Sequence, residues 1–188
     1  KDYIDGRITD PMALEQAEIL FRRNARFITK PVIEANKRIH EGCMARVGDT
    51  RFLIDKRFIA SEIMGYEKEK GFQLSADQSK MVYAAFSEPG AVINTAGMAG
   101  AGKSTAAEVI VRILRKQGFE VIGTSISAEA TKGLAKSAGL KKGESFNSAE
   151  LLTRLDNGKL KLTEKTVVLF DEAGMADIFT LDRLFTHL

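Results

Sequence analysis

The sequence has little cysteine and histidine and no long apolar run, and each shortage excludes a class of protein. One cysteine, Cys43, in 188 residues excludes an internal disulfide framework and suits a reducing compartment, so we expect a cytoplasmic protein. The two histidines, His40 and His187, lie far apart without cysteine or acidic companions at a recognisable ligand spacing, so no zinc-type site is indicated. Since no apolar run reaches the length of a membrane span and no secretion signal is visible, we expect no membrane insertion.

The composition that is present fits one globular α/β domain with an appendage. Hydrophobic residues make up 44% of the chain. The formal net charge is +3 and the isoelectric point is near 9.0, which permits contact with nucleic acid but does not argue for it. Because the chain starts with lysine rather than methionine, we expect it to be a piece of a longer protein.

The most informative stretch is GMAGAGKS, at positions 97–104, which fits the GxxxxGKS pattern of phosphate-binding loops in nucleoside triphosphatases. Glycines let backbone N–H groups turn toward phosphates without Cβ clashes. Lys103 would place its ammonium on the β- and γ-phosphates of ATP, and the Ser104 hydroxyl would ligate Mg²⁺. The predicted nucleotide-binding residues of the loop are Gly97, Gly100, Ala101, Gly102, Lys103, Ser104 and Thr105.

The sequence around the loop agrees with this function. Residues 91–96 form an apolar run that predicts a short buried strand leading into the loop. Residues 104–117 carry apolar side chains at helical spacing, and Gly118 lies where a helix C-cap is expected. Strand, loop and helix is the arrangement that phosphate binding needs, because the helix N-terminus adds partial positive charge. The alternative is a glycine-rich turn with a chance lysine.

A second nucleotide signal is an acidic pair that follows an apolar strand. Residues 166–170 (TVVLF) have the unalternating pattern of a central parallel strand, and Asp171 and Glu172 come directly after it. Ligands bind at this end of strands in open α/β sheets. Asp171 can hold Mg²⁺ directly or through water, and Glu172 can orient and deprotonate the attacking water as catalytic base beside Lys103. The alternative is a solvated acidic turn or helix cap.

The first 73 residues differ from the rest, and we predict a mainly helical N-terminal module there. A hairpin around Gly48 after two helices makes a winged-helix-like module one interpretation. The predicted elements are helices at 11–23, 30–39 and 57–68 and hairpin strands at 43–47 and 51–54. A basic cluster on the first two helices forms either a solvated face or a contact for phosphates; it consists of Arg22, Arg23, Arg26, Lys30, Lys37 and Arg38.

From residue 72 onward strands alternate with helices. A strand is predicted at 118–126, followed by helices at 128–138 and 148–155. Alternation of this kind predicts a parallel sheet with helices on both faces, and therefore an α/β fold.

Four segments in this order resemble a known family: LSADQ at 74–78, GMAGAGKST at 97–105, TSISAEATKGL at 124–134 and DEAGM at 171–175. The set resembles the first ATPase domain of RecD-like DNA helicases of superfamily 1B, in particular the helicase part of Ti-type conjugative relaxases. This resemblance implies a RecA-like P-loop ATPase fold for residues 74–188, with ATP and Mg²⁺ as cofactors and single-stranded DNA as partner. It also implies that Gln78 recognises adenine and that Ser127 and Lys132 contact the DNA backbone.

Two features of the sequence qualify the resemblance. Ser75 and Gln78 also fit a helix capping box, so Gln78 has a structural interpretation that is compatible with the other. Asn147 stands where the family usually has threonine in its next DNA-contacting segment. The family's coupling motif and its second ATPase domain with an arginine finger would lie beyond Leu188, so we expect this chain to bind nucleotide but hydrolyse it poorly. The alternatives are a P-loop phosphotransferase and a non-catalytic nucleotide-binding or docking module.

Overall fold

The computed structural model describes residues 29–94 and 102–188, which form seven α-helices, three β-strands and one short 3₁₀-helix. The helices are α1 (Lys30–Met44), α2 (Lys56–Lys70), α3 (Ala76–Ala84), α4 (Lys103–Lys116), α5 (Ala128–Ser137), α6 (Ser148–Asp156) and α7 (Ile178–Phe185). The strands are β1 (Glu120–Ser125), β2 (Ser145–Asn147) and β3 (Thr166–Phe170), and the 3₁₀-helix is Ala173–Met175. None of the described helices is both long and apolar enough to cross a membrane.

The three strands form one parallel sheet in the order β2-β1-β3. The central strand aligns Thr124 with Phe146 on one side and with Phe170 on the other. Connections between parallel strands need a crossover, and α4, α5, α6 and their neighbours cover the sheet on both faces. The predicted α/β fold is confirmed.

Side chains alternate along β1 and divide the core into two layers. Val121 points to the first face, where it packs with α2, α3, α4 and α5. Ile122 points to the second face, where it packs with leucines of α6 and with Leu184 of α7. Helix α4 contributes more buried residues than any other described helix, because its apolar positions recur at helical spacing; they are Ala106, Ala107, Val109, Ile110, Val111, Ile113 and Leu114.

The described part of the N-terminal region contacts both layers. Helix α2 shares the first core with α4 through Ile59, Ile63 and Tyr66. Helix α1 packs on α7, where Arg38 donates hydrogen bonds of 2.9 and 2.6 Å to the two carboxylate oxygens of Asp182. The predicted helices at 30–39 and 57–68 are confirmed and are longer than expected. The division of the chain at residue 73 stays a prediction.

The predicted hairpin at 43–54 is wrong. Cys43 and Met44 belong to the last turn of α1, because the helix continues through Gly42, which packs against Phe185. Val47 pairs with Gly90 in an antiparallel bridge, so the wing on which the winged-helix interpretation depended is absent from the described residues. The helix predicted at 11–23 lies outside them.

The strand predicted before the phosphate loop is also wrong over its described part. Residues 91–94 form no strand, and Val92 and Ile93 are 43% and 45% exposed. An apolar run becomes a strand only where a neighbouring strand accepts its hydrogen bonds. Instead the first residue of this run bonds to the segment after α1, since the N–H of Ala91 donates to the carbonyl of Arg46. Residues 95 and 96 lie outside the described part of the chain.

Candidate nucleotide-binding site

The N-terminus of α4 contains the last residues of the predicted phosphate-binding loop. Gly102 precedes the helix with φ 69° and ψ 28°, and Lys103, Ser104 and Thr105 are its first residues. The helix begins without a side-chain cap. This leaves its start, with its partial positive charge, suited to an anion. The other predicted loop residues, Gly97, Gly100 and Ala101, lie outside the described residues.

The connection between α4 and β1 sets the position of this helix start. A tight turn with Gly118 at φ 83° leads from α4 directly into β1, and the N–H of Phe119 donates to the carbonyl of Leu114. Since α4 packs on β1 after this turn, it runs back along the sheet. Its N-terminus therefore lies toward the carboxyl ends of the strands, the side on which open α/β sheets bind ligands.

Gln78 lies against the last glycine of the loop. Its Oε1 accepts a 2.8 Å hydrogen bond from the N–H of Ser75, whose Oγ accepts one of 3.2 Å from the N–H of Gln78, so the predicted capping box is confirmed. Its Nε2 donates to the carbonyl oxygen of Gly102 at 3.3 Å. A Cβ on Gly102 would lie 2.0 Å from this Nε2, so the position has no room for a side chain. Sequence reasoning missed this contact, because nothing local marks a pair 24 residues apart.

The acidic pair lies at the carboxyl end of β3. The N–H of Asp171 donates to the carbonyl of Thr124 at 2.9 Å, which extends the ladder with β1 by one bond. Asp171 Oδ1 accepts the N–H of Glu172 at 3.0 Å. Both residues are exposed, and carboxylate oxygens are ligands that Mg²⁺ takes.

Glu172 has a strained backbone. Its φ of 57° is the only positive value at a non-glycine position among the described residues. Such a conformation costs on the order of 1 kcal/mol and persists only where the surrounding structure imposes it. Here it turns the chain from β3 into the 3₁₀-helix, and sequence reasoning had no signal for it.

Two buried hydroxyls end β1 beside the acidic pair. Thr124 and Ser125 are both 0% exposed, and neither hydroxyl has a hydrogen-bond partner within the described part of the chain. The alternation of β1 places Thr124 on the second face and Ser125 on the first. A buried hydroxyl without a partner costs about 1–3 kcal/mol. Two polar residues at the end of an otherwise apolar strand are a signal that the sequence analysis did not use.

The residues predicted to contact DNA lie on α5 and its neighbours. Ser127 caps α5, since its Oγ accepts the N–H of Ala130 at 3.0 Å, and its own hydroxyl hydrogen can still be donated. Lys132 lies on the exposed side of that helix. Asn147 caps α6 by accepting the N–H of Glu150 at 3.0 Å.

The basic cluster predicted on the first helices is only partly described. Arg38 forms an ion pair with Asp182, so its positive charge is compensated by a carboxylate. Lys30 and Lys37 are exposed on α1, where Lys37 lies 3.8 Å from Glu41. The other three members, Arg22, Arg23 and Arg26, lie outside the described residues.

Sequence comparison agrees with this geometry. Residues 73–188, more than half of the chain, match a protein family described as an AAA domain. The chain belongs to this AAA domain family. The matched region contains α3, the start of α4, and the acidic pair after β3.

Three curated relatives are conjugal transfer proteins named TraA. The protein of Agrobacterium fabrum is 30% identical over 153 residues, which are 80% of this chain and 13% of that protein. The protein of Rhizobium radiobacter is 32% identical over 100 residues, or 53% of this chain and 9% of the relative. A probable TraA of Sinorhizobium fredii is 37% identical over 79 residues, or 42% and 7%. The chain thus spans a small part of each relative, and the predicted resemblance to the helicase part of conjugative relaxases is confirmed.

Proposed function

We propose that this chain is the nucleotide-binding part of an ATP-driven DNA helicase or translocase that acts in conjugal DNA transfer. The observation that carries the proposal is the start of α4. An uncapped helix N-terminus with Lys103 and Ser104 follows a glycine that Gln78 holds from the side. Membership of the AAA domain family and the similarity to TraA proteins support the same function.

The residues at the carboxyl edge of the sheet fit Mg-ATP. The Ser104 hydroxyl and the Asp171 carboxylate are oxygen donors of the kind that Mg²⁺ takes, and Lys103 supplies positive charge for the β- and γ-phosphates. A side chain at position 102 would collide with Gln78, so glycine lets that amide lie against the end of the loop. When bound, Mg-ATP supplies the phosphoanhydride bond whose hydrolysis drives movement. Glu172 would orient and deprotonate the attacking water.

Gln78 can serve both of its proposed roles at once. Its amide oxygen has a second lone pair and its amide nitrogen has a second hydrogen beyond the bonds to Ser75 and Gly102. An adenine base beside the loop can therefore bind without breaking the capping box. The same side chain would then connect base recognition to the position of the phosphate loop.

The DNA-dependent part of the proposal concerns α5. Ser127 and Lys132 would contact the backbone of single-stranded DNA, through a hydroxyl hydrogen and an ammonium. In helicases of this type ATP is hydrolysed between two ATPase domains, so a second domain of the parent protein would complete the site with an arginine. We therefore expect the 188-residue chain to bind Mg-ATP and to hydrolyse it slowly.

The proposal is tested by titrating the chain with fluorescent Mg-ADP and Mg-ATP, in competition with GTP. We expect saturable binding with a preference for adenine. Lys103→Ala should weaken binding at least about tenfold, because the phosphates lose a charge-assisted contact worth roughly 1.5–3 kcal/mol. Lys80→Ala removes an exposed lysine from α3 and is the matched control. Equal affinities for wild type and Lys103→Ala would contradict the proposed site.

Glu172→Gln separates binding from chemistry. The substitution keeps the size of the side chain and removes the base, so Mg-ATP affinity should remain within about twofold of wild type, since no ground-state contact is removed. Phosphoryl transfer from ATP to a nucleoside or sugar, measured with radiolabelled ATP, would instead indicate a phosphotransferase.

A further inference from the structure

Helix α5 turns a lysine-bearing stripe toward solvent. At 100° per residue its inner side is defined by Thr131 and Leu134, which are buried. The opposite side carries the exposed residues Glu129, Lys132, Gly133 and Lys136. The two lysines are one helical turn apart, about 6 Å along the axis. A single turn of spacing lets both ammonium groups contact the same extended polyanion.

The turn that follows α5 adds two more lysines in a fixed position. Lys141 and Lys142 are exposed. Arg115 of α4 holds this turn by donating to the carbonyl of Gly139 at 2.9 Å and by pairing with the Glu144 carboxylate, which also accepts the N–H of Lys141. The nearby carboxylate is therefore neutralised by arginine and does not compensate the lysines.

The four lysines form what we call the lysine surface: Lys132, Lys136, Lys141 and Lys142. In the part of the chain that the structure describes, none of them forms an ion pair. Residues 127–143 contain these four lysines and one glutamate, so their net charge of +3 equals that of the whole chain. This segment therefore carries an excess of positive charge, which favours an anionic partner.

Gly133 leaves the exposed side of α5 open to close approach by another molecule. It lies inside α5, and a Cβ added to it would meet nothing within 4 Å. Packing therefore does not require glycine, although glycine in a helix interior costs about 1 kcal/mol relative to alanine. A missing side chain lets another molecule's backbone approach the helix closely. The position lies between Lys132 and Lys136 on the exposed side.

We propose that the lysine surface binds the phosphate backbone of a DNA strand that continues from the Ser127–Lys132 contact along α5. The inference rests on the proposed function, from which it takes the partner, and it extends the contact beyond the residues that the family resemblance implies. Phosphates bind Lys136, Lys141 and Lys142 as point charges, and Gly133 lets the strand lie against the helix.

The first test measures the salt dependence of binding. Fluorescence anisotropy with a labelled 30-nucleotide dT strand compares the wild-type chain with the triple variant Lys136→Gln, Lys141→Gln and Lys142→Gln. Since each phosphate contact on a single strand contributes about 0.7 to the slope of log affinity against log salt, the slope should fall by about 2. The matched control replaces three exposed lysines on α2 and α3, Lys56, Lys68 and Lys80, by glutamine. We expect little change in its slope.

The second test uses Gly133→Gln. Glutamine is a good helix former, so the melting temperature should rise, while the dT strand should bind at least about threefold more weakly because the side chain blocks its approach. A purely structural role for Gly133 cannot produce opposite changes in stability and DNA affinity. Affinity for Mg-ADP should stay constant in this variant.

The outcomes separate the two proposals. If Lys132→Gln weakens dT binding while the triple variant keeps the wild-type slope and affinity, the lysine surface is wrong and the proposed function stands. If the wild-type chain does not bind the dT strand, the DNA part of the proposed function and the lysine surface are both wrong. The Mg-ATP titration decides on the nucleotide site independently of either result.

Discussion

Within the described residues, the starts of α6 and α7 on the second face differ from the start of α4 on the first face in how their backbone N–H groups are satisfied. On the second face, α6 and α7 begin at the side-chain caps Asn147 and Asp177. Their charged side chains form pairs such as Arg38–Asp182 and Arg154–Glu150. On the first face, α4 begins without a side-chain cap, and α5 shows the lysine surface without ion pairs. We call the first face the open face and the second face the closed face.

This difference indicates where the fold is best suited to bind an anion. At a capped helix start a side chain already accepts hydrogen bonds from the backbone N–H groups. At an uncapped start these groups and the positive end of the helix dipole are available to bind an anion. The uncapped start of α4 lies toward the carboxyl edge of the sheet, whereas Lys141 and Lys142 lie in the turn that Arg115 holds from the other end of α4. The two surfaces differ in extent. The start of α4 offers a compact site for a phosphate group, whereas α5 offers an extended surface for a polyanion.

The largest effect should come from closing the start of α4 with Gly102→Ala. Alanine at this position would have to adopt a φ near 69°, and its methyl would displace Gln78. The variant should therefore lose about 2 kcal/mol of stability and most of its Mg-ATP affinity. Gly118→Ala is the control at the other end of the helix. It has φ 83° with nothing within 4 Å of the new Cβ, and should cost only the conformational strain, about 1–2 kcal/mol. Thermal melts and nucleotide titrations of both variants decide the matter.

A further variant isolates the role of Gln78 in this result. In a Gln78→Ala background the methyl of Gly102→Ala no longer displaces an amide, so the two changes should be less than additive. Full additivity in the melts would contradict the contact between Gln78 and Gly102.

The sequence predicted the elements whose signals are local. Helix α4 and strand β3 were found because apolar spacing, Gly118 and the acidic pair all indicate the same boundaries. The hairpin at 43–54 failed because a turn signal at Gly48 does not say which strand will pair with Val47. The partner, Gly90, lies far along the chain and no local pattern identifies it.

The candidate site divides in the same way. Lys103, Ser104 and Asp171 follow from motif spacing, since each is fixed by its own loop or strand. The bond between Gln78 and Gly102 and the strain at Glu172 depend on how distant segments pack, so they were not predictable. The same holds for the pairing of Arg38, which the sequence grouped with free basic residues.

The second prediction tests the closed face by breaking its clearest pair. Arg38→Gln leaves the mostly buried Asp182 carboxylate without its guanidinium partner, and should lower the melting temperature at neutral pH. The hydrogen bonds from Arg38 hold the pKa of Asp182 below its ordinary value of 3.8. Stability from this pair is therefore present above about pH 4 and is lost as the pH falls through the lowered pKa.

Melting temperatures across pH measure this effect. The difference between wild type and Arg38→Gln should be largest near pH 7 and should shrink as the pH falls below 3.8 and through the lowered pKa of Asp182, where the carboxylate becomes protonated. Lys37→Gln removes a neighbouring, well-exposed charge whose partner Glu41 lies 3.8 Å away, and should change little. A deficit that is constant from pH 7 to strongly acid conditions would mean that the pair does not stabilise α1 on α7.

The third prediction sharpens the role of Gln78 on the open face. Gln78→Glu keeps an oxygen that accepts the N–H of Ser75, so the capping box and the melting temperature should be nearly preserved. It removes the N–H donor and places a carboxylate beside the Gly102 carbonyl and the phosphate loop. Affinity for Mg-ATP should fall several-fold, and the preference over GTP should shrink. Unchanged titrations would limit Gln78 to its capping role.

The smallest effect is expected at two neighbouring residues of β1, Thr124 and Ser125, whose side chains point to opposite faces of the sheet. Thr124→Val replaces a buried, unpartnered hydroxyl on the closed face by a methyl of similar size, and should raise stability by up to about 1 kcal/mol without changing nucleotide affinity. Ser125→Ala removes the neighbouring hydroxyl on the open face, beside Asp171. If that face is arranged for a ligand, Ser125→Ala alone should alter Mg-ATP binding while both variants melt at or above the wild-type temperature. Equal behaviour of the two variants in the titration would mean that the hydroxyls of β1 do not contribute to nucleotide binding, and that the open groups are confined to the start of α4 and the lysine surface.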